Sequence, residues 1–139
     1  MKPETVFADT NLFLRYLTDD IPEQADKVEA LLRRAGQGEL RLVTTSLVIA
    51  EIVWTLESHY HVPKPDIQDN LLAILGTPGL EVEDADLLLQ AATWYAGKNV
   101  DFIDAFNAAW MLHHGITRAA TFDLDHFRRF EGLVSDEPG

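Results

Sequence analysis

Four carboxylates stand where the surrounding sequence makes a carboxylate costly. Asp9 lies between Val6-Phe7-Ala8 and Leu12-Phe13-Leu14. Glu51 is preceded by Leu47-Val-Ile-Ala50 and followed by Ile52-Val-Trp54. Asp104 belongs to Asp101-Phe-Ile-Asp104-Ala-Phe-Asn107-Ala-Ala109, a helical pattern apolar nearly all round and so expected to be buried. Asp123 follows Ala120-Thr121-Phe122, and Asp125 comes two residues later. A charge on an apolar face costs free energy unless a cation meets it. Three or four carboxylates, with no obligatory His or Cys, suit a hard divalent ion such as Mg2+ or Mn2+. That ion can lower the pKa of a bound water and brace the charge developing on a phosphodiester, so no protein nucleophile is needed.

Each acid also has a plain structural reading. Asp9 fits an N-cap at a strand–helix junction. Glu51 fits the top of a solvent stripe continuing through Thr55 and Ser58, although its i−4 and i+3 neighbours are Leu47 and Trp54. Asp101 fits an N-cap, with Asp104 in the first turn where the helix dipole favours it. Asp123 fits a turn or cap. The joint pattern is stronger than its parts: four acids adjoin apolar sequence, and two of them directly follow predicted strands.

The elements that must position these acids follow from periodicity. Strands are predicted at Thr5–Ala8, Leu40–Thr44, Leu80–Glu83 and Ala119–Phe122. Helices are predicted over Leu12–Leu17, from Pro22 to Gly36, from Thr45 or Ser46 to about Tyr60, over Asp66–Leu75 and Asp84–Gly97, and from Asp101 to His114. A last segment spans Phe127–Phe130, and Ser135–Gly139 is expected to be frayed. Strands alternating with helices imply an α/β fold whose mostly parallel sheet is covered on both faces. Ligands in such sheets gather at the carboxyl ends of the strands, where Asp9 and Asp123 stand. With no linker and no repeat, the expectation is one domain over residues 1–134 and a tail over 135–139.

Composition narrows the classes. The chain carries 11 Lys+Arg against 23 Asp+Glu, a formal net charge of −12. That charge repels nucleic acid at long range and argues against a module that binds through a basic patch. A bound metal ion would reverse the local field at a carboxylate cluster. Zero Cys excludes disulfides, thiol catalysis and Cys-based zinc sites. No segment approaches the roughly 20 apolar residues of a membrane span, and Met-Lys-Pro-Glu-Thr lacks the apolar stretch of a signal peptide, so a cytoplasmic protein is expected. His59 with His61, and His113 with His114, lack an evident third partner for zinc. Arg33-Arg34, Arg118 and Arg128-Arg129 are the local basic clusters, and each reads first as solvated surface. Trp54, Trp94 and Trp110 fall at core spacing and read as packing.

Four runs together resemble a known family. They are Phe7-Ala-Asp9-Thr-Asn11, Thr45-Ser46-Leu-Val-Ile-Ala-Glu51-Ile, Val100-Asp-Phe-Ile-Asp104-Ala-Phe-Asn-Ala-Ala109, and Ala120-Thr121-Phe122-Asp123-Leu-Asp-His-Phe127. In order and interval they resemble the PIN domain, and within it the VapC-type toxin ribonucleases. The resemblance implies a three-layer α/β/α sandwich around a central, mostly parallel sheet, with Mg2+ or Mn2+ and endonucleolytic cleavage of RNA. It matches Asp9, Glu51, Asp104 and Asp123 to an acidic quartet, with Asn11 and Thr121 in support. Asp101 and Asp125 match positions that are often acidic. Asp101 could replace or assist Asp104, but the Ala-Phe-Asn-Ala-Ala that follows Asp104 favours the latter. The resemblance further implies a homodimer and an antitoxin that blocks the acidic cleft with an inserted Arg. Two rivals remain from the residues alone: a non-catalytic acidic α/β interaction module, and a metal-dependent DNA nuclease or phosphatase using the same acids. A phosphorylation receiver would want a Lys after a later strand, and a dehalogenase-type phosphatase a second Asp at position 11. The chain has neither feature.

Overall fold

Three short runs rich in Val and Leu pair as parallel strands in the computed structural model, which describes residues 2–139; Met1, where the expected domain begins, lies outside them. β1 (Glu4–Phe7) pairs with β2 (Leu40–Thr44), and β2 pairs with β3 (Leu80–Val82). In β2 the alternation is plain: Leu40, Leu42 and Thr44 are buried while Arg41 is exposed. Arg41 forms an ion pair with Glu81 of β3. Phe7 and Thr5 are exposed on the strand beside them. Within this unit Leu40, Leu42 and Thr44 occupy the buried face of the sheet, and Arg41 and Glu81 lie on the other. Charged residues on the second face are satisfied across the strands and need no cover.

The first compact unit ends at Ala85 and also holds four helices. α1 (Thr10–Thr18) ends at Asp19, which takes the left-handed conformation at φ 51°. α2 (Pro22–Gly36) begins with Pro at its first position, where a missing N–H costs nothing. α3 (Ser46–Ser58) is capped by the Thr45 side chain, which accepts from the Val48 N–H. α4 (Lys64–Leu75) follows the Pro63 turn. Leu42, Ile49, Ile52, Leu56, Ile67 and Leu71 are fully buried. Each such side chain contributes about 1.5–3 kcal/mol of hydrophobic stabilisation.

The second unit is Asp86–Gly139. It comprises α5 (Ala85–Gly97, from its second residue), α6 (Phe102–His113), β4 (Arg118–Ala120), α7 (Leu124–Arg128) and β5 (Val134–Asp136). Leu88, Ala91, Tyr95, Ala105, Ala108 and Phe130 are buried in it. Tyr95 meets Phe102 edge-on at 5.8 Å, and Trp94 meets Phe130 at 5.1 Å. β4 and β5 pair in parallel, Ala119 with Ser135 and Ala120 with Asp136.

The α/β class and parallel strands match expectation. Three details differ. The strands are hydrogen-bonded as two sets, β1-β2-β3 and β4-β5, where one sheet had been expected. β4 stops at Ala120, so Asp123 stands beyond a short connection and not directly at a strand end. Ser135 and Asp136, expected to be frayed, belong to β5, because β4 supplies their ladder and Arg118 holds Asp136 at 2.7 Å. Among the described residues no helix is long and apolar enough to cross a membrane.

Gly79 tests the first unit's packing. It enters β3 at φ 82°, and a Cβ there would stand 2.2 Å from the Ala35 carbonyl oxygen. Gly38 has a similar φ of 81° with open space around it. Gly38→Ala should cost about 1–2 kcal/mol of left-handed strain alone. Gly79→Ala should cost at least roughly twice as much, because backbone atoms of α2 must move as well. Denaturant melts of the two variants give the comparison, and equal losses would contradict this account of the turn.

Candidate active site

In the first unit, the backbone just before Asp9 is tightly held. The Ala8 N–H donates to the Val43 carbonyl at 2.8 Å, and the buried Thr44 hydroxyl donates to the Ala8 carbonyl at 2.8 Å. Asp9 then caps α1, with Oδ1 accepting from the Thr10 N–H at 2.8 Å. Thr10 is buried, and its hydroxyl has no hydrogen-bond partner among the described residues. Asn11 is exposed on the first turn. Glu51 is exposed on α3, flanked on the same face by Leu47, 80% exposed, and Trp54, 69% exposed. The exposed face of α3 is therefore mixed: Glu57 and Ser58 are exposed along it too, and Thr55 is half-buried. Trp54 is thus not core packing as expected: the buried set of α3 is Val48, Ile49, Ile52, Val53 and Leu56, which leaves position 54 outside. Trp110 is also exposed, its ring stacked on His114 at 4.2 Å, while Trp94 packs on Phe130.

In the second unit the acids converge. Asp101 caps α6, its Oδ1 accepting from the Ile103 N–H at 2.9 Å and the Asp104 N–H at 3.2 Å. Asp104 follows in the first turn, its side chain only 19% exposed. His126 of α7 spans the gap: Nδ1 lies 2.9 Å from Asp104 Oδ2, and Nε2 lies 2.8 Å from Asp123 Oδ2. Thr121 sets Asp123, its Oγ1 accepting the Asp123 N–H at 3.0 Å. Burial pushes the Asp104 carboxyl above the usual carboxylate range; the charge of His126 opposes this, while Asp101 and Asp123 add to it. Asp125 points elsewhere, 87% exposed and paired with Arg128 at 3.3 Å.

The geometry therefore joins Asp101, Asp104, Asp123 and His126 within the second unit, and places Asp9, Asn11 and Glu51 in the first. His126 was not foreseen. Its only signal was that Asp104, on an apolar helix, lacked a cation. The basic clusters are largely engaged: Arg33 with Glu29, Arg34 with Glu39, Arg118 with Asp136, Arg128 with Asp125, and Arg129 with the Lys98 and Asn99 carbonyls. Among the described residues no group of three or more His, Cys, Asp or Glu is arranged to hold a metal ion. The donor chemistry nevertheless fits a hard cation. Asp104 carries both a desolvation penalty and like-charge neighbours, and the orphaned Thr10 hydroxyl next to Asp9 has acceptor capacity to spare.

A family model described as PIN domain matches residues 6–133, an interval that contains every acid discussed above. No curated protein matches the chain.

Asp104 makes a stability prediction with a definite sign. Its folded pKa lies above the unfolded value of about 3.9, so its protonated form stabilises the fold at low pH. That contribution is fully present below the unfolded value and lost as pH rises through the raised one. Asp104→Asn should therefore melt a few degrees above the wild type at pH 7, with the difference closing near pH 3. His126→Ala should melt lower than the wild type at pH 7, since Asp104 and Asp123 then face each other unbridged. A lower melting point for Asp104→Asn at pH 7 would mean that the helix-dipole benefit, about 0.3–1 kcal/mol, outweighs desolvation.

Proposed function

The chain belongs to the PIN domain family, and from that premise we propose that it is a Mg2+- or Mn2+-dependent endoribonuclease of the VapC toxin type. PIN domains are typically metal-dependent nucleases, hydrolases that act on nucleic acid. Asp104 carries the reading: a carboxylate both desolvated and pressed by neighbouring acids is where a divalent ion relieves two costs at once. In this reading Asp9, Glu51, Asp104 and Asp123 hold the ion, Asp101 and Asp125 are further candidates, and Asn11 and Thr121 support them. When bound, the ion supplies a water of lowered pKa and a counter-charge for the phosphodiester.

The chain's own residues do the positioning. Thr44 grips the Ala8 carbonyl and so fixes where Asp9 leaves β1. Asp101 ties down the start of α6, one turn from which Asp104 projects. Thr121 holds the backbone at Asp123. Preorganised carboxylates of this kind need little rearrangement when charge develops on the substrate. The same reading makes RNA the substrate, an antitoxin protein and a second copy of the chain the partners, and the cytoplasm the place of action.

Purified protein should cleave RNA in Mg2+ or Mn2+ and stop in EDTA. Asp9→Asn and Asp104→Asn should each slow cleavage by about 10²-fold or more while remaining folded. Expression of the wild type should arrest host growth, and Asp9→Asn should relieve that arrest at equal soluble yield. Full activity in EDTA would end the metal reading, and cleavage of DNA in preference to RNA would redirect the substrate assignment.

A further inference from the structure

The Asp86–Gly139 unit carries eight Asp+Glu against four Lys+Arg. Three of those four cations are already committed: Arg118 to Asp136, Arg128 to Asp125, and Arg129 to two backbone carbonyls. His126 is likewise taken up between Asp104 and Asp123. A polyanion arriving at Asp123 finds no free basic patch in this unit to hold it. It does find Phe122, which is 80% exposed. The ring is not on a loose loop. The Thr121 N–H donates to the Asp136 carbonyl at 2.9 Å, the Asp123 N–H donates to the Thr121 hydroxyl at 3.0 Å, and α7 begins at Leu124. A large apolar ring is thus held out in water on backbone fixed at both sides, adjacent to an acid assigned to the reactive centre.

We propose that Phe122 is a base-stacking residue that holds an unpaired nucleobase of single-stranded RNA next to the phosphate at Asp123. This inference rests on the ribonuclease reading and adds to it a residue that holds the substrate. Stacking on an aromatic face needs no positive charge and tolerates any base, because every base has a π-face. Phe122 immediately precedes Asp123, with Cα atoms about 3.8 Å apart, so a base on the ring and a phosphate at the acid fall within the span of a few linked nucleotides. A base locked in a duplex cannot lie on the ring without being unpaired, which selects single strands, loops or bulges.

The test is binding of a fluorescent uridine dodecamer by anisotropy, with Ca2+ replacing Mg2+ to suppress cleavage, and with the matching duplex alongside. Phe122→Ala should weaken single-strand binding by roughly 5- to 150-fold, with an unchanged melting temperature and salt slope. Phe122→Trp should bind at least as tightly as the wild type, and Phe122→Leu should lose most of the affinity. Dodecamers with one abasic position, moved along the strand, should weaken the wild type at one place, and that loss should vanish in Phe122→Ala. In Mg2+ the alanine variant should show a raised KM at an unchanged kcat. If the wild type cleaves RNA but Phe122→Ala binds like it, or the abasic loss persists in the variant, the stacking role is wrong and the ribonuclease reading stands. If Phe122→Ala instead changes the oligomeric state in light scattering with RNA binding intact, the ring seats another copy, and the stacking role is again overturned. If the wild type, shown to be folded, neither binds nor cleaves RNA, the ribonuclease reading itself fails and takes this inference with it.

Discussion

Keeping a carboxylate charged on an apolar helix is the constraint around which the second unit is arranged. Asp104 is held back from solvent because Phe102, Ala105, Ala108 and Ala109 commit the adjoining face of α6 to burial, while Ile103, Asn107 and Trp110 look outward. The surrounding groups then follow from that cost. Asp101 spends one oxygen on the helix start, and His126 faces both Asp104 and Asp123 with its two ring nitrogens. Thr121 keeps Asp123 within reach of that ring. The result is a pair of acids joined through one imidazole, at the expense of a raised proton affinity on one of them. Strain of this kind is retained where surrounding structure over-determines it.

The first unit solves a different problem with backbone. Asp9 must stand at a definite point beyond β1, and the Thr44 hydroxyl and Val43 carbonyl fix Ala8 immediately before it. Capping and metal binding, read from sequence as rivals, need not compete at Asp9. The cap uses Oδ1 alone and leaves a second oxygen with its lone pairs. The same holds at Asp101, where both capping bonds converge on Oδ1. One residue type can therefore anchor a helix start and still present charge.

Much of this organisation was legible in residue order. The helix patterns, Pro22 at a first turn and the Thr45 cap are local signals, and α2, β2 and α4 lie within two residues of their predicted bounds. What escaped was non-local. β5 is Val-Ser-Asp, with neither length nor alternation, and exists because β4 offers it a ladder. Division of the strands into two hydrogen-bonded sets depends on pairings that no window contains. His126 stands 22 positions from Asp104 in the sequence, so spacing could not link them. Trp54 misled because the outer face of α3 also carries large apolar residues, Leu47 and Trp54, among its polar ones, and composition cannot say which apolar residues are buried.

The net charge of −12 then looks less like a contradiction of nucleic-acid chemistry than a division of labour. The arginines pair with acids or carbonyls of their own unit, so they stabilise structure and leave little long-range attraction for phosphate. Such a surface gains nothing from nonspecific encounter with a polyanion, which for most nucleic-acid binders supplies the bulk of the affinity. On the function proposed above, binding would be generated within a few ångströms of the acids, by a divalent cation and by exposed aromatic surface beside them. Both sources act only at short range and demand a particular geometry from the substrate. An acidic nuclease of this design trades speed of capture for discrimination, because a strand that cannot place a phosphate and a base together meets only repulsion.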